Sequence, residues 1–129
     1  MSNQALYIEA QDDTPMVKHE MEGSSNVITI EGVSMPENTL DFYVPLLQQI
    51  DEICSGSKKN KLVFHLDYMN SMSNKQVLKL ISSIFKKDPE LKVIWKYSNG
   101  DELIKMKGEE MRSILEGIDL SIEEIITPM

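Results

Sequence analysis

Apolar positions along the 129-residue chain change their period several times, and each change marks an element. Leu6-Tyr7-Ile8 is a short apolar run, and Asp12-Asp13-Thr14-Pro15 supplies turn residues after it. Val17, His19 and Met21 alternate with Lys18 and Glu20, Gly23-Ser24-Ser25-Asn26 punctuates, and Val27-Ile28-Thr29-Ile30 is a β-branched run. Period-two alternation around a glycine turn predicts a hairpin. The pattern breaks from Gly32 to Pro36. From Pro36 onward Leu40, Tyr43, Leu47, Ile50 and Cys54 recur at steps of three and four, widened by Phe42, Leu46 and Ile53. That spacing predicts an amphipathic helix with Pro36 at its first position, after Ser34 or Met35. Pro45 implies a kink or a later start, since proline has no N–H to donate.

Beyond the loop at Ser55–Asn60, the segment Lys61–Met69 holds Leu62, Val63, Phe64, Leu66 and Tyr68 with few polar interruptions, which predicts a central strand covered on both faces. Ser73–Lys87 carries Val77, Leu78, Leu80, Ile81, Ile84 and Phe85 against Lys75, Lys79, Lys86 and Lys87, and this is the clearest helix. Leu91, Val93, Trp95 and Tyr97 alternate with lysines and Ile94, predicting a strand in which Trp95 belongs to the core. A helix interrupted by Gly108 follows over Asp101–Glu116, and Ile118, Leu120, Ile122, Ile125 and Ile126 close the chain as a strand or as helix plus strand. The order predicts one α/β domain over residues 1–129. Its sheet is mixed, antiparallel at the start and joined afterwards by parallel β-α-β crossovers.

Composition narrows the chemistry. Hydrophobic residues make up 41% and charged residues 26%, both near globular averages. The formal charge of -8, from 21 acidic and 13 basic residues, disfavours a nucleic-acid backbone or an anionic membrane as partner and favours basic protein surfaces. Cys54 is the only cysteine, which excludes an internal disulfide and a thiolate metal cluster and fits a reducing cytoplasm. The first residues are polar and acidic, so no signal peptide is expected, and no apolar run reaches the ~18 residues of a membrane span.

Catalytic signatures are sparse. His19 and His65 are the only histidines and both sit in strand patterns. His65 and Asp67 share a strand face and so can converge, but no third group supports them as an enzyme site. The adjacent pairs Asp12-Asp13, Glu109-Glu110 and Glu123-Glu124 point in diverging directions and read as solvated faces rather than metal ligands. No phosphate-cradling glycine loop and no other cofactor signature is present. Nine methionines, among them Met69, Met72, Met106 and Met111, are suited to core filling or to a pliable partner surface.

The turn after the central strand stands out instead. Asn70, Ser71 and Ser73 are all good helix caps, and Ser73 with Gln76 has capping-box spacing, so capping alone accounts for these residue types. Hydroxyls beside free backbone N–H groups at a helix entrance also suit a phosphoryl group. Met72, between two serines at that entrance, is hard to bury and is placed to meet a partner.

Three segments together resemble the SiaC family of bacterial regulatory phosphoproteins. They are Gly32-Val33-Ser34-Met35-Pro36-Glu37-Asn38, Leu66-Asp67-Tyr68-Met69-Asn70-Ser71-Met72-Ser73, and Val93-Ile94-Trp95-Lys96-Tyr97 with Asp101-Glu102 and Gly108-Glu109. The family usually writes the second turn with Phe or Leu after Tyr and with Thr or Ser after Asn. The resemblance implies a fold like that of anti-sigma-factor antagonists. It also implies a non-enzymatic partner switch governed by a Ser/Thr kinase and a PP2C-type phosphatase, whose dephosphorylated form in relatives engages a diguanylate cyclase. Carried over by position, the phosphoacceptor falls on Ser71, with Ser73 as second choice, and Tyr68, Met69, Asn70, Met72 and Ser73 form the partner-binding surround. Ser71 replaces the usual threonine and Met72 the usual following serine. The competing reading is a constitutive scaffold in which Ser71 and Ser73 serve only as caps.

Overall fold

The computed structural model describes residues 6–56 and 59–126. Six strands and three helices follow one another as β1 (Tyr7–Ile8), β2 (Met16–Glu22), β3 (Ser25–Ser34), α1 (Thr39–Cys54), β4 (Lys59–Met69), α2 (Ser71–Lys87), β5 (Lys92–Ser98), α3 (Glu102–Ile114) and β6 (Asp119–Ile125). All six strands join one sheet in the order of the chain. The first three are antiparallel, and β3 through β6 are parallel. This is the expected mixed sheet with parallel crossovers. The terminal segment, left open between strand and helix plus strand, is the strand β6.

The hairpin forms where the alternation places it. Glu22 pairs with Ser25 across the two-residue turn Gly23-Ser24, and Gly23 takes the positive φ of 63° that such a turn demands. β3 then runs further than expected, because the break at Gly32 is a bulge against β4 rather than the end of the strand.

One face of the sheet is covered by the three helices, and among the described residues no helix packs on the other. Ile28 and Ile30 of β3, Leu62, Phe64 and Leu66 of β4, and Val93 and Trp95 of β5 are buried in one cluster with Tyr43, Leu46 and Ile50 of α1, Val77, Leu80 and Ile81 of α2, and Ile104 and Met111 of α3. The alternate positions Thr29, Val63, His65, Ile94 and Lys96 are only half-buried. The expectation that Lys61–Met69 is covered on both faces is therefore corrected. Three crossovers that each step to the next strand in the same direction lay all their helices on one side, which leaves β4 one-sided.

Helix α1 begins at Thr39, not at Pro36. Asn38 is its cap, its Oδ1 accepting from the Asp41 N–H at 3.1 Å. Pro36 is buried ahead of the helix and Ser34 ends β3. Pro45 lies inside the helix without delaying its start, on the exposed side. The buried row is Thr39, Tyr43, Leu46, Ile50 and Cys54, so Leu40 turns outward.

At the far end of α1 a polar network replaces apolar packing. Asn26 Nδ2 donates to the Ile53 carbonyl (3.2 Å) and to Asn60 Oδ1 (2.9 Å), while Asn60 Nδ2 donates to the Cys54 carbonyl (3.2 Å) and to Asp88 Oδ2 (3.0 Å). Asn26 Oδ1 lies 2.9 Å from His19 Nε2 and accepts its proton. Two carbonyls that α1 leaves without intrahelical donors are thus satisfied by buried amides from β3 and β4. Of the expected loop at Ser55–Asn60, Ser57 and Lys58 lie outside the described residues, and Asn60 belongs to β4.

α3 owes its closeness to a glycine. Trp95 is wholly buried, its Nε1–H donates to the Ile104 carbonyl at 2.8 Å, and a Cβ on Gly108 would stand 2.4 Å from its ring. The apparent interruption of the helix is where the indole fits.

Candidate functional site

Because β3 to β6 are parallel, each helix between them starts at the carboxyl ends of the strands. Three N-termini collect at that edge, and each is capped alike. Asn38, Asn70 and Asp101 accept from the third N–H of their helices, at 3.1, 2.8 and 3.1 Å. The first turns of α1 and α3 carry Asp41 and Glu102, whereas that of α2 carries no acidic residue. The expected capping box starting at Ser73 does not form. Asn70 is the cap, α2 begins at Ser71, and the Ser73 side chain points inward.

The turn itself is built without a loop. β4 ends at Met69, α2 begins at Ser71, and the Asn70 N–H donates to the Ser34 carbonyl at 3.1 Å, extending the β3–β4 ladder by one bond. Ser34 Oγ donates to Ser73 Oγ at 2.8 Å and lies 2.5 Å from Tyr43 Oη. With that proton committed to Ser73, the phenol is the donor to Ser34. Ser34 and Ser73 have no exposed surface and Tyr43 is buried with them. Burial pushes the Tyr43 phenol above its ordinary pKa, and the ability of the Ser34 and Ser73 hydroxyls to donate to its ionised form offsets part of that rise.

The expected site residues divide into three groups. Ser71 is exposed, with Tyr68 (45% exposed) before it and Met72 (51%) after it. Asn70 is half-buried as the cap. Met69 (2%) and Ser73 (0%) face the core, so neither offers a side chain to a partner in this conformation. Met35, Leu40 and Val44, near the start of α1, are exposed apolar residues at the same edge. The sequence pattern does not mark these three out: it places Leu40 in the buried stripe, but α1 packs the row of Thr39, Tyr43, Leu46 and Ile50 inward and so turns Leu40 outward. Nor does it mark Ser34 and Tyr43 as neighbours of the turn, because they join it only through the fold.

The other candidate chemistry does not assemble. His65 lies on the open face of the sheet with Nε2 3.3 Å from Ser98 Oγ, and Asp67 is exposed beyond it. Among the described residues no group of three or more His, Cys, Asp or Glu is placed to hold a metal ion, and no helix is long and apolar enough to cross a membrane. Cys54 is a free buried thiol, pushed up to about 12 by burial and by the negative charges of Asp88 and Asp51.

Comparison with known proteins joins this geometry to a family. No curated protein sequence matches the chain. Among solved structures, a chain of the complex of the diguanylate cyclase SiaD with its activator SiaC from Pseudomonas aeruginosa is similar with a TM-score of 0.80. Identity is 18%, over 93% of this chain and 99% of that one. Apo-SiaC from Pseudomonas aeruginosa matches with a TM-score of 0.73 at 18% identity, over 93% and 98% of the two chains. A further structure of SiaC of Pseudomonas aeruginosa gives 0.77 at 19% identity, over 95% and 99%. These likenesses establish the fold. The model of the SiaC family of regulatory phosphoproteins matches residues 8–125, from β1 to the end of β6, and the chain belongs to that family.

Proposed function

We propose that this chain is a phosphorylation-controlled binding module, not an enzyme, that acts in the cytoplasm and regulates a diguanylate cyclase. Ser71 is the acceptor, a Ser/Thr kinase adds the phosphate and a PP2C-type phosphatase removes it. In the modification, Ser71 Oγ bonds to the γ-phosphorus of a nucleoside triphosphate as the β–γ bridging P–O bond breaks. The nucleoside diphosphate leaves and the hydroxyl proton passes to a base of the kinase. Hydrolysis by the phosphatase restores the serine and releases inorganic phosphate.

The observation that carries this reading is the exposure of Ser71 at the first position of α2, between the exposed side chains of Tyr68 and Met72. Unmodified, the α2 entrance presents a hydroxyl among apolar contacts. A phosphoryl group there adds nearly two negative charges that docking would have to desolvate. The absence of a carboxylate from the first turn of α2 supports the same reading, since the helix N-terminus is free to stabilise the modified state while the partner is excluded. The activation of SiaD by SiaC in Pseudomonas aeruginosa supports a diguanylate cyclase as the partner class.

Titration calorimetry of purified protein against the diguanylate cyclase of the same bacterium tests the reading. Phosphorylated protein and Ser71→Asp are expected to bind at least ~100-fold more weakly than unmodified protein and Ser71→Ala, the scale of leaving a charge buried and unpaired. Equal affinity of all four species would instead make the turn a constitutive docking surface.

A further inference from the structure

Two of the three segments that carry the family resemblance, Gly32–Asn38 and Leu66–Ser73, are far apart in the chain, and the switch reading uses only the second of them. Ser34 belongs to the first and Ser73 to the second. They are 39 residues apart, and their hydroxyls are hydrogen-bonded to each other. Ser34 holds the turn twice, through its carbonyl to the Asn70 N–H and through its hydroxyl to Ser73. Tyr43 closes the arrangement from α1. The residues on either side of Ser71-Met72 are therefore both pinned inward, Asn70 by its N–H and its cap to the Ser73 N–H, Ser73 by its hydroxyl. Ser71 and Met72 are what remains to project.

We propose that Ser73 is a positioning residue of the switch, locked by Ser34 and Tyr43 so that the first turn of α2 presents Ser71 and withholds Ser73 from modification. The proposal rests on the reading of Ser71 as the acceptor and adds what selects it. For Ser73 Oγ to reach a kinase, the first turn of α2 would have to unwind. That would break the Asn70 cap and leave the Ser34 hydroxyl, bonded then to Tyr43 alone, with a buried O–H that has no acceptor, a costly loss in a site from which water is excluded. The same lock orders the Ser71 backbone before any partner arrives, which lowers the entropy that docking must remove.

The experiment expresses wild type, Ser71→Ala, Ser73→Ala and Tyr43→Phe in the native bacterium, maps phosphosites by mass spectrometry, and follows backbone hydrogen exchange of each purified protein. Tyr43→Phe removes one oxygen and keeps the ring, so it tests the lock even where Ser73→Ala fails to fold. Phosphate is expected on Ser71 alone in wild type and on neither serine in Ser71→Ala. In Ser73→Ala and Tyr43→Phe, exchange over Met72–Lys75 is expected to quicken about fivefold, the worth of one hydrogen bond, and Ser71 occupancy to fall. Core amides of β4 and β5 should keep their protection, which a merely structural lesion would not allow. Phosphate on Ser73, in wild type or in Ser71→Ala, overturns the proposal. So do wild-type exchange and wild-type Ser71 occupancy in both lock variants. A wild type with phosphate on neither serine overturns the switch itself, and the exchange measurement, which needs no phosphate, separates that failure from failure of the lock.

Discussion

Gly108→Ala sets two effects of opposite sign against each other. In an exposed helix the change stabilises by about 1 kcal/mol, because alanine is the better helix former. Here the added Cβ would stand 2.4 Å from Trp95 Cδ1 and 2.7 Å from both Cγ and Nε1. Ordinary carbon contacts are about 3.5 Å or more, so the overlap is about 1 Å. The indole has no free space to give. It has no exposed surface, its ring leans on Phe64 with centroids 5.3 Å apart, and its N–H is committed to the Ile104 carbonyl. Overpacking costs about 1–3 kcal/mol, and losing the indole hydrogen bond in a buried site about 1–3 more. Setting about 2 for each against the 1 gained leaves a net loss of about 3 kcal/mol. Urea unfolding followed by the fluorescence of Trp95, the only tryptophan, measures it directly. The exposed neighbour substitution Glu109→Gly supplies the propensity alone, expected at about 1 kcal/mol of destabilisation. A Gly108→Ala protein as stable as wild type, or more so, would refute the close approach of α3 to Trp95.

Other outcomes follow from the same geometry. Cys54 should resist a thiol reagent at pH 8 in native protein and react at once in urea, because its pKa stands at about 12 and its side chain is buried. Its raised value means stability that is complete below the ordinary thiol pKa of 9.0 and is lost as pH climbs from there through about 12. A Cys54→Ala protein should therefore show a shallower alkaline decline in unfolding free energy. Asn26→Ala strips donors from the Ile53 carbonyl and Asn60 Oδ1 at once, and denaturant unfolding should register a loss of about 2–3 kcal/mol. Asn70→Ala removes the α2 cap and should cost about 1 kcal/mol in the same assay.

Much of the architecture was legible because local patterns decided it. Alternation at Val17, His19 and Met21 with a glycine turn sufficed for the hairpin, and apolar spacing from Val77 to Phe85 for α2. Coverage of β4 is not legible, because Val63 sits between Leu62 and Phe64 and makes the run look apolar on both sides. A half-buried valine on an open sheet face leaves the same local pattern as a fully buried one. Pro36 attracts the expected start of α1, whereas the Asn38 side chain, three residues before the N–H it caps, carries the better signal. At the site, exposure of Met72 is readable from its place between two serines at a helix entrance. Burial of Ser73 is not, since its partners come from Ser34 and Tyr43, and no local window contains that contact.

The sheet whose strands stand in chain order has a bearing on how the protein is made. No strand must be threaded between two that are already paired, so every new β-α unit meets an edge that is waiting for it. As the chain leaves the ribosome, β1 to β3 can pair before β4 exists, and each later strand extends the assembly by one place. Contacts between sequential neighbours favour rapid folding over the slow search that interleaved parallel sheets require. In such a sequence the Ser34 carbonyl and hydroxyl wait at the end of β3, and the turn that bears Ser71 takes its shape when β4 pairs there and α2 docks, before β5 and β6 are added.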